Sequence, residues 1–129
     1  MRKILIVDDN PLILAILSDA LRADYRVVTA ASGEDAMVVL ESLDPGTGSH
    51  GDTFDLIVTD LNMPGISGYD LAGFVKTLNH SHRFTPVILL TSAEVTKEEA
   101  RKFGCAACLP KSDIPKVVAM TRILLPATG

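Results

Sequence analysis

Short, continuous apolar runs alternate along this chain with longer amphipathic segments. KILIV (3–7) precedes 11–22, RVVTA (26–30) precedes 33–43, and DLIVT (55–59) precedes 68–79. PVILL (86–90) then precedes 95–103, and CAACL (105–109) precedes 113–125. Five-residue apolar runs suit strands buried on both faces, whereas the segments between them carry helical spacing. Five strand–helix units predict an α/β fold: a doubly wound, five-stranded parallel sheet with helices on both faces. The boundary residues agree. Asn10 suits the cap of a first helix with Pro11 in its first turn, Ser32 and Ser112 are further cap candidates, and Gly104 fits the stop after 95–103. In the first helix, Ile13, Ile16, Leu17, Ala20 and Leu21 form the expected core stripe.

One stretch breaks the rhythm. LDPGTGSHGD (43–52) is longer than the usual helix-to-strand connection and reads as a mobile surface insertion. His50 falls inside it and His80 and His82 in NHSHRF, so all three are expected to be solvated loop residues rather than ligands.

Composition narrows the class. A length of 129 residues is that of one domain, expected over 1–129. Hydrophobic residues make up 47%, yet no run approaches the roughly 20 apolar residues of a membrane span. The start of the chain lacks the pattern of a secretory signal, so a cytoplasmic location is expected. A net charge of −4 and a pI near 5.2 argue against direct nucleic-acid binding, which needs clustered Lys and Arg. Cys105 and Cys108 have a redox-like spacing, but they lie in a small-residue apolar run with no second pair to complete a zinc site. They are expected to be buried, inert thiols.

The chemistry gathers at the strand ends. Ligands of an open parallel sheet bind beyond the carboxyl ends of its strands. Those ends carry Asp8 and Asp9, Asp60, Thr91 and Lys111. Three converging carboxylates raise one another's pKa unless a cation joins them, and a hard divalent ion such as Mg²⁺ suits an all-oxygen set. Asp8 and Asp9 are the expected metal residues, with one oxygen from Asp60 and the backbone carbonyl of Asn62. Lys111 and the Thr91 hydroxyl would donate to phosphoryl oxygens, while the other Asp60 oxygen attacks phosphorus to form an acyl phosphate.

VDDN, DLIVTDLNMPGISGYDL, PVILLTSA and GCAACLPK together resemble, in order and spacing, the receiver domain of two-component response regulators over essentially the whole chain. The resemblance implies strand order 2-1-3-4-5. It also implies that Asp60 accepts phosphate from a sensor histidine kinase or phosphotransfer protein, that Asp8 and Asp9 bind magnesium, that Thr91 senses the phosphoryl group and that Lys111 pairs with it. An output domain or a homodimer partner would meet the 95–125 face, and no membrane contact is expected. Two positions depart from the family pattern. Cys108 stands where an aromatic residue is usual, and Ser112 rather than proline follows Lys111. A competing reading is a Mg-dependent aspartyl-phosphate phosphohydrolase. Such enzymes place a second Asp two residues after the nucleophile as general acid, and Asn62 stands there instead; its amide cannot supply that proton. A non-enzymatic, phosphorylation-controlled module is the expectation.

Overall fold

The computed structural model describes residues 2–42, 53–78, 84–92 and 96–126. Five strands alternate with five helices, in the order β1 (Lys3–Val7), α1 (Pro11–Leu21), β2 (Arg26–Ala30), α2 (Gly33–Ser42), β3 (Leu56–Asp60), α3 (Gly68–Thr77), β4 (Val87–Thr91), α4 (Lys97–Lys102), β5 (Ala107–Pro110) and α5 (Ile114–Leu124). All strand pairs are parallel, and the sheet order is β2-β1-β3-β4-β5, as the resemblance implies. Because side chains alternate across a strand, β1 sends Leu5 and Val7 to one face and Ile4 and Ile6 to the other. The first face is covered by Ala36 and Leu40 of α2, Leu71 and Val75 of α3 and Ala100 of α4. The second is covered by Leu17 and Leu21 of α1 and Val117 of α5. Strands β1, β3 and β4 are buried along their whole length, which explains their unbroken apolar runs.

Local signals set the helix ends. Asn10 Oδ1 accepts from the Leu12 amide at 2.9 Å, and Pro11 occupies the first turn. Ser67 and Asp70 exchange hydrogen bonds in a capping box that starts α3. Ser32 Oγ accepts from the Asp35 amide at 3.0 Å, as expected of a cap. At α5 the cap is Asp113, not Ser112: its Oδ1 accepts from the Lys116 amide at 3.1 Å. Pro115 in the first turn sets that start one residue later. Gly104 has φ +83° and ends the α4 region with the Lys76 side chain against it, so a side chain there would be both strained and blocked.

The core stripe of α1 departs from expectation at Ile16, and Ala20 is only partly buried. Leu17, Ser18 and Leu21 are buried, with Ile13 and Leu14 packed against the same cluster, while Ile16 is 39% exposed. Successive helical residues are about 100° apart, so a face centred on Leu17 and Leu21 leaves Ile16 at its margin. Segment 43–52 and all three histidines lie outside the described residues. No helix among the described residues is long and apolar enough to cross a membrane.

Candidate functional site

Three strand ends on one rim of the sheet bring the charges together. Asp8 directly follows β1, Asp60 ends β3, and Lys111 directly follows β5. The Asp8 amide donates to Ala30 O at 3.2 Å, which prolongs the β1–β2 ladder and fixes the carboxylate at the sheet's rim. Asp8 Oδ1 accepts from the Asn10 amide at 2.9 Å, so the same turn that starts α1 also orients the acid. Asp60 Oδ1 accepts from the Asn62 amide at 3.2 Å. The Lys111 amide donates to Thr91 O at 3.1 Å, which ties its backbone to the end of β4. From there its ammonium reaches across β4 and donates to Asp60 Oδ2 at 3.1 Å and to Asp8 Oδ1 at 3.3 Å. Asp8 Oδ2 is 3.0 Å from the same nitrogen but without hydrogen-bond alignment.

Asp8 and Asp60 are almost completely buried, while Asp9 faces solvent. Burial raises the Asp60 pKa; the Lys111 hydrogen bond pulls it down and the Asp8 charge pushes it up, leaving it above the usual carboxylate value. For Lys111, burial opposes the charge, but the hydrogen bonds and charges of Asp8 and Asp60 outweigh it, so its pKa lies above the ordinary lysine value.

One ammonium cannot balance three carboxylates. Asp8, Asp9 and Asp60 each offer an oxygen, all within 4.8 Å of one another. At about 4 Å and an effective dielectric of about 20, two like charges repel by roughly 4 kcal/mol, so the cluster favours a further cation. The buried Asp8 Oδ2, which lacks a hydrogen-bond partner, and the oxygen-only donor set fit a hard divalent cation. Thr91, the last residue of β4, is buried at the same rim. The Lys111–Ser112 bond is trans, as are all the described peptide bonds.

The two cysteines stay apart from this centre. Cys105 is buried, with its thiol pushed up to about 11, first by desolvation and then by Cys108. Cys108 is only partly buried, which corrects the expectation of two fully buried thiols; burial, followed by the Glu99 charge, raises its pKa too. Two features had no signal in the local pattern. The Tyr69 ring of α3 stacks on Phe103, with centroids 4.0 Å apart. Glu34 of α2 reaches the loop that follows Asp60.

Comparison with known proteins identifies the class. The family model of the response regulator receiver domain matches residues 4–122. The chain is 32% identical over 124 residues to the sensor histidine kinase RcsC of Escherichia coli, covering 94% of this chain and 12% of that protein. It is 32% identical over 129 residues to the transcriptional regulatory protein CpxR of the same organism, covering 97% of this chain and 50% of that one. This chain therefore spans half or less of these curated relatives. Among solved structures, the Vibrio cholerae chemotaxis protein CheY4 aligns with a TM-score of 0.82 at 29% identity, covering 97% and 99% of the two chains. Thermotoga maritima response regulator TrrA, in complex with Mg²⁺ and BeF, aligns at 0.78 and 28% identity, covering 97% and 100%.

The chain belongs to the response regulator receiver domain family. It is a phosphoacceptor module of two-component signalling.

Proposed function

We propose that residues 1–129 form a single receiver domain in which Asp60 is the phosphoacceptor. The observation that carries this reading is the Asp8–Asp60–Lys111 constellation, a buried carboxylate at a strand end held between a second acid and an ammonium. A carboxylate oxygen of Asp60 attacks phosphorus of a phosphohistidine or a small acyl phosphate. The new O–P bond forms as the bond from phosphorus to the donor breaks, the electron pair leaves with the donor, and an aspartyl phosphate results. Lys111 and the Thr91 hydroxyl supply hydrogen bonds to phosphoryl oxygens. Asp8, Asp9, Asp60 and the Asn62 backbone carbonyl would hold Mg²⁺, which supplies positive charge against the phosphoryl oxygens when bound.

The donor is a sensor histidine kinase or phosphotransfer protein, and the phosphorylated form acts by altered binding through the 95–125 face rather than by turnover of outside substrates. Asn62 supports this regulatory role, since its amide provides no proton for a leaving group. The location is cytoplasmic. Acetyl phosphate with Mg²⁺ is expected to add one phosphate to the intact mass, labile at alkaline pH and absent in Asp60→Asn. Equal labelling of that variant would remove Asp60 as the acceptor.

A further inference from the structure

The seven residues between β3 and α3 (61–67) carry the Asn62 carbonyl and the amide that orients Asp60, yet they contain little regular structure. Their two ends are tied together, because the Gly68 amide donates to Leu61 O at 2.9 Å. At that junction a Cβ on Gly68 would lie 2.6 Å from the Asp60 carbonyl oxygen, so the loop closes tightly against the backbone of the acceptor. The far side of the loop is held from another element. Glu34, in the first turn of α2, accepts from the Ile66 amide through Oε1 at 3.0 Å. Two glycines permit that approach. Gly65 has φ +80°, and a Cβ there would stand 2.9 Å from Glu34 Oε1; a Cβ on Gly33 would stand 2.8 Å from Ile66 Cβ.

We propose that Glu34 is a positioning residue for the acidic site: by holding the Ile66 amide it fixes the 61–67 loop, and through it the Asn62 carbonyl and the Asp60 carboxylate. Glu34 touches neither phosphate nor metal, and its role rests on the reading of Asp60 and its neighbours as a Mg²⁺ site. A mid-loop amide left to solvent allows the loop several conformations, and a metal that binds only one of them then loses apparent affinity by the fraction no longer populated. The carboxylate is well suited to the task, because it makes a charge-assisted bond and stands at the positive end of α2.

The test compares the wild-type chain, Glu34→Ala and Glu34→Gln by Mg²⁺ calorimetry, amide exchange at Ile66 and thermal melting. Glu34→Ala is expected to weaken Mg²⁺ by about threefold to tenfold, below the roughly 10- to 100-fold cost of removing a group bonded directly to a metal ligand. Ile66 exchange should rise about tenfold while the melting midpoint stays near wild type. Glu34→Gln keeps an acceptor oxygen without the charge and should recover most of both effects. Wild-type affinity in Glu34→Ala overturns the proposal, as does a loss of affinity matched by a fall in global stability. Equal weakening in both variants with Ile66 still protected would assign the effect to charge rather than position, and likewise overturns it. A wild-type chain that takes up no Mg²⁺ overturns the reading of the site, and this role with it.

Discussion

Strand β5 borders two groups of desolvated ionisable side chains that behave in opposite ways. Past its carboxyl end, Lys111 meets Asp8 and Asp60 in mutual hydrogen bonds. Just before it and within it, Cys105 and Cys108 have no cation hydrogen-bonded to them among the described residues, and both thiols are held toward the neutral form. Burial penalises charge in both places; only a counter-charge within hydrogen-bonding distance offsets it. The charged cluster goes further, since its carboxylates outnumber its ammonium and leave negative potential at the rim of the sheet. That surplus fits the strand ends to attract a cation, whereas the thiols pack against the core. The cavity of about 330 Å³ beside Cys105, Cys108, Arg101 and Lys116 is lined by none of the acidic residues, so it is distinct from the charged cluster.

The largest expected effect comes from satisfying the surplus. Mg²⁺ at 100 times its dissociation constant should stabilise the fold by about 2.7 kcal/mol, read as a rise in melting midpoint. Replacing both Asp8 and Asp9 by Asn should abolish the rise; a full rise in that double variant would place the ion elsewhere.

Removing the Lys111 ammonium should cost somewhat less. Lys111→Met is expected to destabilise the metal-free chain by about 2 kcal/mol at neutral pH, because it leaves two buried carboxylates facing each other, with partial exposure of the lysine moderating the loss. Since the folded pKa of Lys111 lies above its ordinary value, its contribution is complete below about pH 10 and disappears as pH rises through the folded value. Denaturant unfolding of both proteins should therefore show a gap that narrows at alkaline pH. A gap independent of pH would point to lost packing of the lysine stem instead.

The thiols sharpen the other half of the contrast. With its pKa pushed up to about 11, Cys105 should react with iodoacetamide at pH 8 roughly 100-fold more slowly than an ordinary thiol. Its raised pKa stabilises the fold below the unfolded thiol value, near pH 9, and that contribution is lost as pH rises toward 11. Peptide mapping after native alkylation checks this, and rapid modification of Cys105 would contradict its desolvated state.

The smallest expected effect lies at Cys108. Its side chain packs partly against the core and has no ring to move between surface and interior, while the nearby rings of Tyr69 and Phe103 are engaged with each other. Amide exchange with and without beryllofluoride should change less across 105–113 than across 91–96, with the pattern intact in Cys108→Ala. Equal changes in the two segments would show that a switch operates there without an aromatic.

Much of this was legible along the chain because its determinants are local. A buried parallel strand must read as an unbroken apolar run, and helix caps such as Asn10 and Ser32 act over two or three residues. Parallel connection also forces every strand to end on the same rim, so Asp8, Asp60, Thr91 and Lys111 could be gathered from their positions alone. Other features depended on distances that no local pattern encodes. Ile16 looked like core, but the face of α1 that reached the sheet was set by how the helix lay across it. Cys108 looked as buried as Cys105 and proved only partly so, because it stands on an edge strand of the sheet. Glu34 and Ile66 are 32 residues apart and meet only because α2 and α3 pack side by side on one face. Lys111 likewise bonds to Asp8 and Asp60 across separations of 103 and 51 residues. Sequence pattern and strand polarity determined which residues reached the rim, through forces acting within a few residues. Which of them touch, how the loop after Asp60 is held, and which carboxylates share the Lys111 ammonium were decided by tertiary packing, because hydrogen bonds and charges act through space.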